Sequence, residues 1–226
     1  MSPLTHGSVS LREFYVEGKV ARDWNRAYDL PLSRHAFRPI AVAKGETVSV
    51  GWVNPRQILD ADVAIEKLRV GPAILLALRQ ERITLNARLF RARRDLAVAE
   101  AAAKAGKSRL SKNERQAVEE RVRLDMLRGQ SPSTQIIEAL WRPDEAVAYV
   151  AASSESAALV FSEVFASTFA LTLIPAVAGV RAMRWAEQHG LDDRLEQLAP
   201  IAFSARPVGP DDLADADNEE DNDGST

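Results

Sequence analysis

The sequence predicts an α+β fold: a mostly antiparallel sheet with packed helices on one face and a projecting antiparallel helical hairpin. Three observations lead there. Short alternating or β-branched runs, bounded by Gly, Pro and Asp, recur on both sides of the chain's middle. Between them lie two long helix-forming stretches joined by a short turn. The charge is also unevenly divided. Residues 79–128 carry 14 Lys/Arg against 7 Asp/Glu, and residues 209–226 carry 8 Asp/Glu and no Lys/Arg, although the total is only −3.

The elements follow in order. Ser8–Glu17 alternates as a strand, with Val9, Leu11, Phe14 and Val16 as its apolar members and Gly18 closing it. Asp23 is placed to cap a short helix through His35, kinked near Pro31. Thr47–Val53 is a second strand, its β-branched residues surrounding Gly51-Trp52, and Val63–Val70 is read as a third. From Pro72 to Leu85 the apolar run Ala73–Leu78 suits a buried strand or a helix; a strand up to about Arg82 is the reading taken.

Leu85, Leu89, Ala92, Leu96, Ala99 and Ala103 then form a stripe at i, i+4, i+7, i+11 spacing, expected to be the packing face of the first hairpin helix. Good helix formers fill Ala97–Ala105 and Gly106 ends the run. Ser111-Lys112-Asn113-Glu114 is a capping box, in which Ser111 and Glu114 satisfy each other's free backbone N–H groups. It opens a second helix from about Lys112 to Arg128 that is expected to bury Val118, Val122 and Met126. Gly129 and Pro132 stop it.

Gln135–Leu140 and Ala146–Ala152 read as strands around the turn Arg142-Pro143-Asp144-Glu145. Ser153 or Ser154 caps a helix to about Ala170, Leu171–Ala176 is a short buried strand, and Ala182–His189 is a last helix stopped by Gly190. The uncharged run Val164–Val180 is diluted by Ser167, Thr168 and Thr172 and broken by Pro175 and Gly179, so it reads as a helix running into a buried strand rather than a membrane span. The division expected is 1–84 and 129–206 as the two parts of an α+β domain, 85–128 as a basic helical hairpin, and 207–226 as a disordered acidic tail.

With those residues placed, the chain resembles the bacterial recombination-associated RdgC family from near Leu11 to about Ala178. Phe37-Arg38-Pro39 precedes Gly51-Trp52-Val53, and the charged hairpin follows with Leu110-Ser111-Lys112-Asn113-Glu114-Arg115. Trp141 in a strand comes next, then a helix leading to Leu173-Ile174-Pro175. The resemblance implies a double-stranded DNA binder with little sequence preference and no catalytic activity, cytoplasmic and nucleoid-associated. It also implies a homodimer forming a ring with a positively charged interior, which restrains recombinase assembly. The family's apolar Leu-Leu-Pro-Arg-Ala-Phe stretch after the second hairpin helix, which helps one subunit meet the other, is here Met126-Leu127-Arg128-Gly129-Gln130-Ser131.

The candidate DNA contacts are basic residues of the hairpin. Arg88, Arg91 and Arg94 lie within about 120° of one another on a helix, beside the apolar stripe. Lys104, Lys107, Arg109 and Lys112 gather at the turn, and Arg115, Arg121, Arg123 and Arg128 continue on the return helix. Such groups neutralise phosphates and release counterions, giving affinity without sequence reading. The bland reading is a solvated surface with intrahelical pairs, and Glu100, Glu114, Glu119 and Glu120 are available for that. A competing class is a protein–protein adaptor whose hairpin docks on an acidic partner. The acidic tail reads either as a solubility aid or as a competitor occupying the hairpin until DNA displaces it.

An enzyme is not expected. No cysteine is present, which excludes a disulfide, a thiolate metal site and a cysteine nucleophile, and fits a reducing cytoplasm. His6, His35 and His189 are far apart, and no phosphate loop, nucleophile elbow or dinucleotide fingerprint occurs. Asp60, Asp62 and Glu66 with Lys67 could be imagined as a nuclease cluster, but a turn leading into a strand explains them better. No cofactor or metal is expected. Trp24, Trp52, Trp141 and Trp185 are read as core or rim packing, and Gly51 leaves room beside Trp52 for that ring to stay outside the core.

Overall fold

The computed structural model describes residues 9–197. The chain divides into two units, the first ending at Ala176 and the second beginning at Val177. In the first, β1 (Arg12–Glu17), β2 (Val48–Val53), β3 (Arg69–Val70), β4 (Ala73–Arg82), β5 (Ser133–Arg142), β6 (Val147–Ala151) and β7 (Thr172–Pro175) form one antiparallel sheet. Its order is β2-β4-β5-β6-β1-β7, with β3 pairing β4. Helices α1 (Trp24–Ala27), α2 (Asp29–Arg34), α3 (Ile65–Leu68), α4 (Ala87–Lys104), α5 (Lys112–Arg128) and α6 (Glu155–Phe169) complete this unit. The second unit holds α7 (Ala178–His189) and α8 (Asp192–Glu196).

Alternation along each strand sends one set of side chains to a common face. Phe14, Val16, Trp52, Ile74, Leu76, Leu78, Ile137, Ala139, Trp141, Ala148 and Val150 are buried there. Ala157, Phe161, Phe165 and Phe169, at i, i+4, i+8 and i+12 of α6, belong to the same core, as do Trp24, Leu32, Ile65 and Leu68 from the short helices. The aromatic members interlock: Trp141 meets Phe165 edge-on at 5.0 Å between centroids, and Trp52 meets Phe161 edge-on at 5.4 Å. The expected α+β class is thus the one observed. The apolar run at Ala73 is a strand through Arg82, as read.

Several elements differ from expectation. Val63–Val70 is not a strand: Asp62 accepts from the Ala64 N–H and Asp29 from the Ile65 N–H at 2.7 Å, and these acceptors start a helical turn that buries Ile65 and Leu68 three residues apart. Only Arg69–Val70 remains extended. The helix expected over Asp23–His35 breaks at Tyr28 rather than Pro31, because Tyr28 turns its ring into the core against Trp141 and Phe169. Pro31 sits in the first turn of α2, where its missing N–H has no intrahelical partner to lose. Asp23 makes no side-chain cap bond. The first strand begins at Arg12, four residues later than expected, and α7 begins one turn earlier. The short helix α8 was not foreseen.

Trp52 is fully buried, correcting the doubt about it. Its indole N–H donates to the Thr168 hydroxyl at 2.8 Å. Gly51 beside it is needed for a different neighbour. A Cβ there would lie 2.4 Å from the Phe37 Cα, and the segment His35–Phe37 hydrogen-bonds along β2 at that level. Trp185 is 55% exposed and stacks on His189 within α7. Among the described residues no helix is long and apolar enough to cross a membrane. The acidic segment 207–226 lies outside the described residues.

Candidate nucleic-acid interface

The hairpin is an insertion between the paired strands β4 and β5. Arg82 of β4 and Ser133 of β5 are cross-strand partners, and residues 83–132 leave and return between them. Asn86 caps α4, its side chain accepting from the Leu89 N–H at 3.0 Å. The predicted capping box opens α5, with the Ser111 N–H donating to Glu114 at 2.8 Å and the Glu114 N–H to the Ser111 hydroxyl at 3.3 Å. Lys107 adds an ion pair to Glu114 at 2.7 Å. The Lys107 and Ser111 contacts hold the Glu114 carboxyl down at about 2.

The two helices do not meet on the stripe expected. Phe90, Arg94, Ala97, Val98, Ala101 and Ala102 are the half-buried residues of α4. Leu89, Ala92, Leu96, Ala99 and Ala103 are exposed, and Leu85 precedes the helix. Two i, i+4 stripes compete on this helix; the inward one carries Phe90, whose ring receives the Arg123 guanidinium at 5.7 Å, and small alanines that let the helices approach. On α5, Met126 and Leu127 are buried, whereas Val118 and Val122 are only half-buried.

This packing sorts the predicted cations. Arg94 is turned toward the hairpin interior and pairs with Asp95 at 2.8 Å. Lys107 is held by Glu114, Arg123 by Phe90, and Arg128 by Asp125 at 3.5 Å. Arg88, Arg91, Lys104, Arg109, Lys112 and Arg115 are exposed and have no ion-pair partner among the described residues. Four of these six, Lys104, Arg109, Lys112 and Arg115, lie at the hairpin's distal turn. Arg109 and Arg115 border a shallow cavity of about 320 Å³ there, with Val98, Ala102 and Leu110. Arg88 and Arg91 stand nearer the sheet on one edge of α4.

Two further cations are exposed: Arg121 on α5, already placed on the return helix by the sequence, and Arg93 on α4, which the sequence reading did not single out. Their residue type was visible, but their freedom from partners depends on the packed geometry. At the sheet end of the hairpin, Arg82 and Arg123 flank a larger cavity, about 500 Å³, lined by Val48, Ile83, Leu85 and Phe90. Arg79, also in the basic segment, is engaged by Glu81 and lies over the Phe37 ring at 4.4 Å.

The imagined nuclease cluster has a structural role. Asp60 accepts from the Asn54 side chain at 3.1 Å and from the Asp62 N–H at 2.9 Å, and Asp62 is ion-paired with Lys67. These bonds lower the pKa of both carboxyls, first through the Asp62 N–H for Asp60 and through Lys67 for Asp62. Among the described residues no group of three or more His, Asp or Glu is arranged to hold a metal ion.

The molecule is therefore an α+β protein whose sheet carries an inserted helical hairpin with a surplus of exposed cations that have no ion-pair partner among the described residues. Residues 21–184 match the family described as "Putative exonuclease, RdgC", and the chain belongs to the RdgC family. That membership supports a DNA-related role. Among curated proteins none matches the chain.

Proposed function

We propose that this RdgC-family chain binds double-stranded DNA without reading its sequence, as a non-catalytic, nucleoid-associated homodimer that modulates recombination or replication. The observation that carries the reading is the set of six exposed hairpin cations that have no ion-pair partner among the described residues, Arg88, Arg91, Lys104, Arg109, Lys112 and Arg115. Guanidinium and ammonium groups on a helix surface neutralise phosphates and release counterions, which gives affinity whatever the bases. Base-specific reading would need side chains set to enter a groove in a fixed register, and flexible cations around a turn do not supply that. The family description names an exonuclease. In this chain the carboxylates that the sequence offered for such a site, Asp60 and Asp62, are engaged by Asn54, Lys67 and backbone N–H groups, which supports a binding rather than a hydrolytic role.

Fluorescence anisotropy with two unrelated duplexes, from low to physiological salt, tests the reading. Equal affinity for both and a steep fall with salt are expected. Replacing Arg88 and Arg91 by Gln should lower the slope of log K against log salt by roughly 2, if each contacts one phosphate. Absence of binding at low salt would overturn the proposal and leave the adaptor reading, in which the hairpin meets an acidic protein. Release of nucleotides from an end-labelled duplex in the presence of magnesium would overturn its non-catalytic part.

A further inference from the structure

A second group of basic side chains converges outside the hairpin. Arg34 ends α2, His35 caps it, and Arg38 follows the short segment that runs along β2. Two backbone bonds fix that segment: the Phe37 N–H donates to the Trp52 carbonyl at 2.8 Å, and the Trp52 N–H to the His35 carbonyl at 2.9 Å. Phe37 is buried with Val53 and Ala77, whereas Arg34 and Arg38 on either side of it are exposed. Together with Ser49, Val164 and Ser167, the three basic residues line a cavity of about 300 Å³ between the edge of the sheet and α6. The Phe37-Arg38-Pro39 motif thus gives one residue to the core and one to this cavity.

The lining carries charge of one sign. No Asp or Glu borders the cavity, and neither arginine has an ion-pair partner among the described residues. On the neighbouring segments Asp29 accepts from the Ile65 N–H and Glu46 from the Ala41 N–H, while Glu163 stands one turn before Ser167, outside the lining. The His35 Nδ1–H donates to the Pro31 carbonyl at 3.0 Å, which orients the ring and leaves Nε2 for a ligand. Both hydroxyls are committed to the frame, Ser49 donating to the Arg38 carbonyl and Ser167 to the Val164 carbonyl at 2.9 Å. What remains to be satisfied is two guanidinium forks, whose paired N–H groups match the oxygens of an oxyanion. A cavity of this volume is at the small end of ligand sites and suits a compact anion. A phosphate group offers oxygens on several sides to donors arriving from separate positions, whereas a carboxylate offers two in one plane.

We propose that this cavity is a phosphate-binding site in which Arg34 and Arg38 hold the anion and His35 bounds it. The inference goes beyond the hairpin reading and does not depend on it, since no hairpin residue lines the cavity. The phosphate belongs either to a nucleic-acid backbone or to a free phosphate; the same two guanidinium groups serve both.

Titration of the ¹⁵N-labelled chain with inorganic phosphate at millimolar concentrations tests it. The N–H resonances of His35, Arg38, Val164 and Ser167 should shift together, and acetate should leave them in place. Replacing Arg34 and Arg38 by Gln should weaken phosphate binding by about tenfold or more. Both side chains are exposed and without ion pairs, so the fold is retained, which circular dichroism checks. Ser167→Glu, which sets a carboxylate in the cavity wall and keeps both arginines, should abolish binding. Arg88→Gln with Arg91→Gln should leave it unchanged. Equal shifts in all variants, or equal shifts with acetate, would mark an adventitious ion only and overturn the site. Duplex titrations of the Arg34→Gln, Arg38→Gln chain then identify the source. A salt slope lowered by about 2 assigns the site to backbone phosphates, and an unchanged slope beside a retained phosphate response in the unaltered chain assigns it to a free phosphate. No phosphate response together with an unchanged slope would overturn the site and leave the hairpin reading intact. A chain that binds phosphate here but no duplex at low salt would overturn the hairpin reading alone.

Discussion

A single hydroxyl decides how Trp52 sits. The indole is fully buried between sheet and α6, and its N–H reaches Thr168, which itself donates to the Val164 carbonyl. A buried donor left without an acceptor costs about 1–3 kcal/mol. Thr168→Val keeps the volume and removes the acceptor, so a loss of that size is expected as a lower urea midpoint with an unchanged slope. An unchanged midpoint would mean that the bond contributes nothing. The sequence showed Gly51 next to Trp52 and suggested room beside the ring. The room belongs instead to the Phe37 backbone, 2.4 Å from where a Cβ would stand. A pairing between residues so far apart in sequence cannot be read from either neighbourhood alone.

At the scale of the element, the hairpin turn is held by one carboxylate. Glu114 closes the capping box on Ser111 and accepts from Lys107, and its pKa falls from 4.5 to about 2. A depressed carboxyl pKa stabilises the folded form above its unfolded value, and that contribution is lost as pH falls through the folded value. Thermal melts of the unaltered chain and Glu114→Gln should therefore differ most above pH 4.5 and converge as pH approaches 2. A gap that stays constant across that window would show that the charge of Glu114 is immaterial. The capping box was legible because its four residues are contiguous and its geometry is local. The inward face of α4 was not, because two stripes on the same helix have similar apolarity and only the position of α5 selects between them. Val63–Val70 failed for the same reason: Asp29, thirty-six residues upstream, supplies the acceptor that starts the helical turn.

At the scale of the whole molecule, charge separation governs how strongly a polyanion is held. Residues 209–226 bring eight carboxylates to the chain and no cation. Removing them should tighten duplex binding at low salt, with the difference fading as screening increases toward a Debye length of about 8 Å at physiological ionic strength. Equal affinity of the two forms at low salt would assign the segment a role in solubility alone.

The sequence by itself determined the class of fold, the existence of the hairpin, its capped second helix and its net positive charge. It also carried the ordered motifs, from Phe37-Arg38-Pro39 to Leu173-Ile174-Pro175, that place the chain in its family. All of these depend on composition, on short-range periodicity or on contiguous residues. Only the tertiary structure decided which α4 face turns inward, which cations are neutralised and which remain free, and that Trp52 belongs to the core. The α4 face and the burial of Trp52 rest on distances of a few ångströms between segments remote in the chain, and the pairing of the cations on how helix and turn geometry place near neighbours. Lys107 lies seven residues from Glu114 and pairs with it because the turn folds back, whereas Arg93 lies seven residues from Glu100 and cannot, because a straight helix holds them apart.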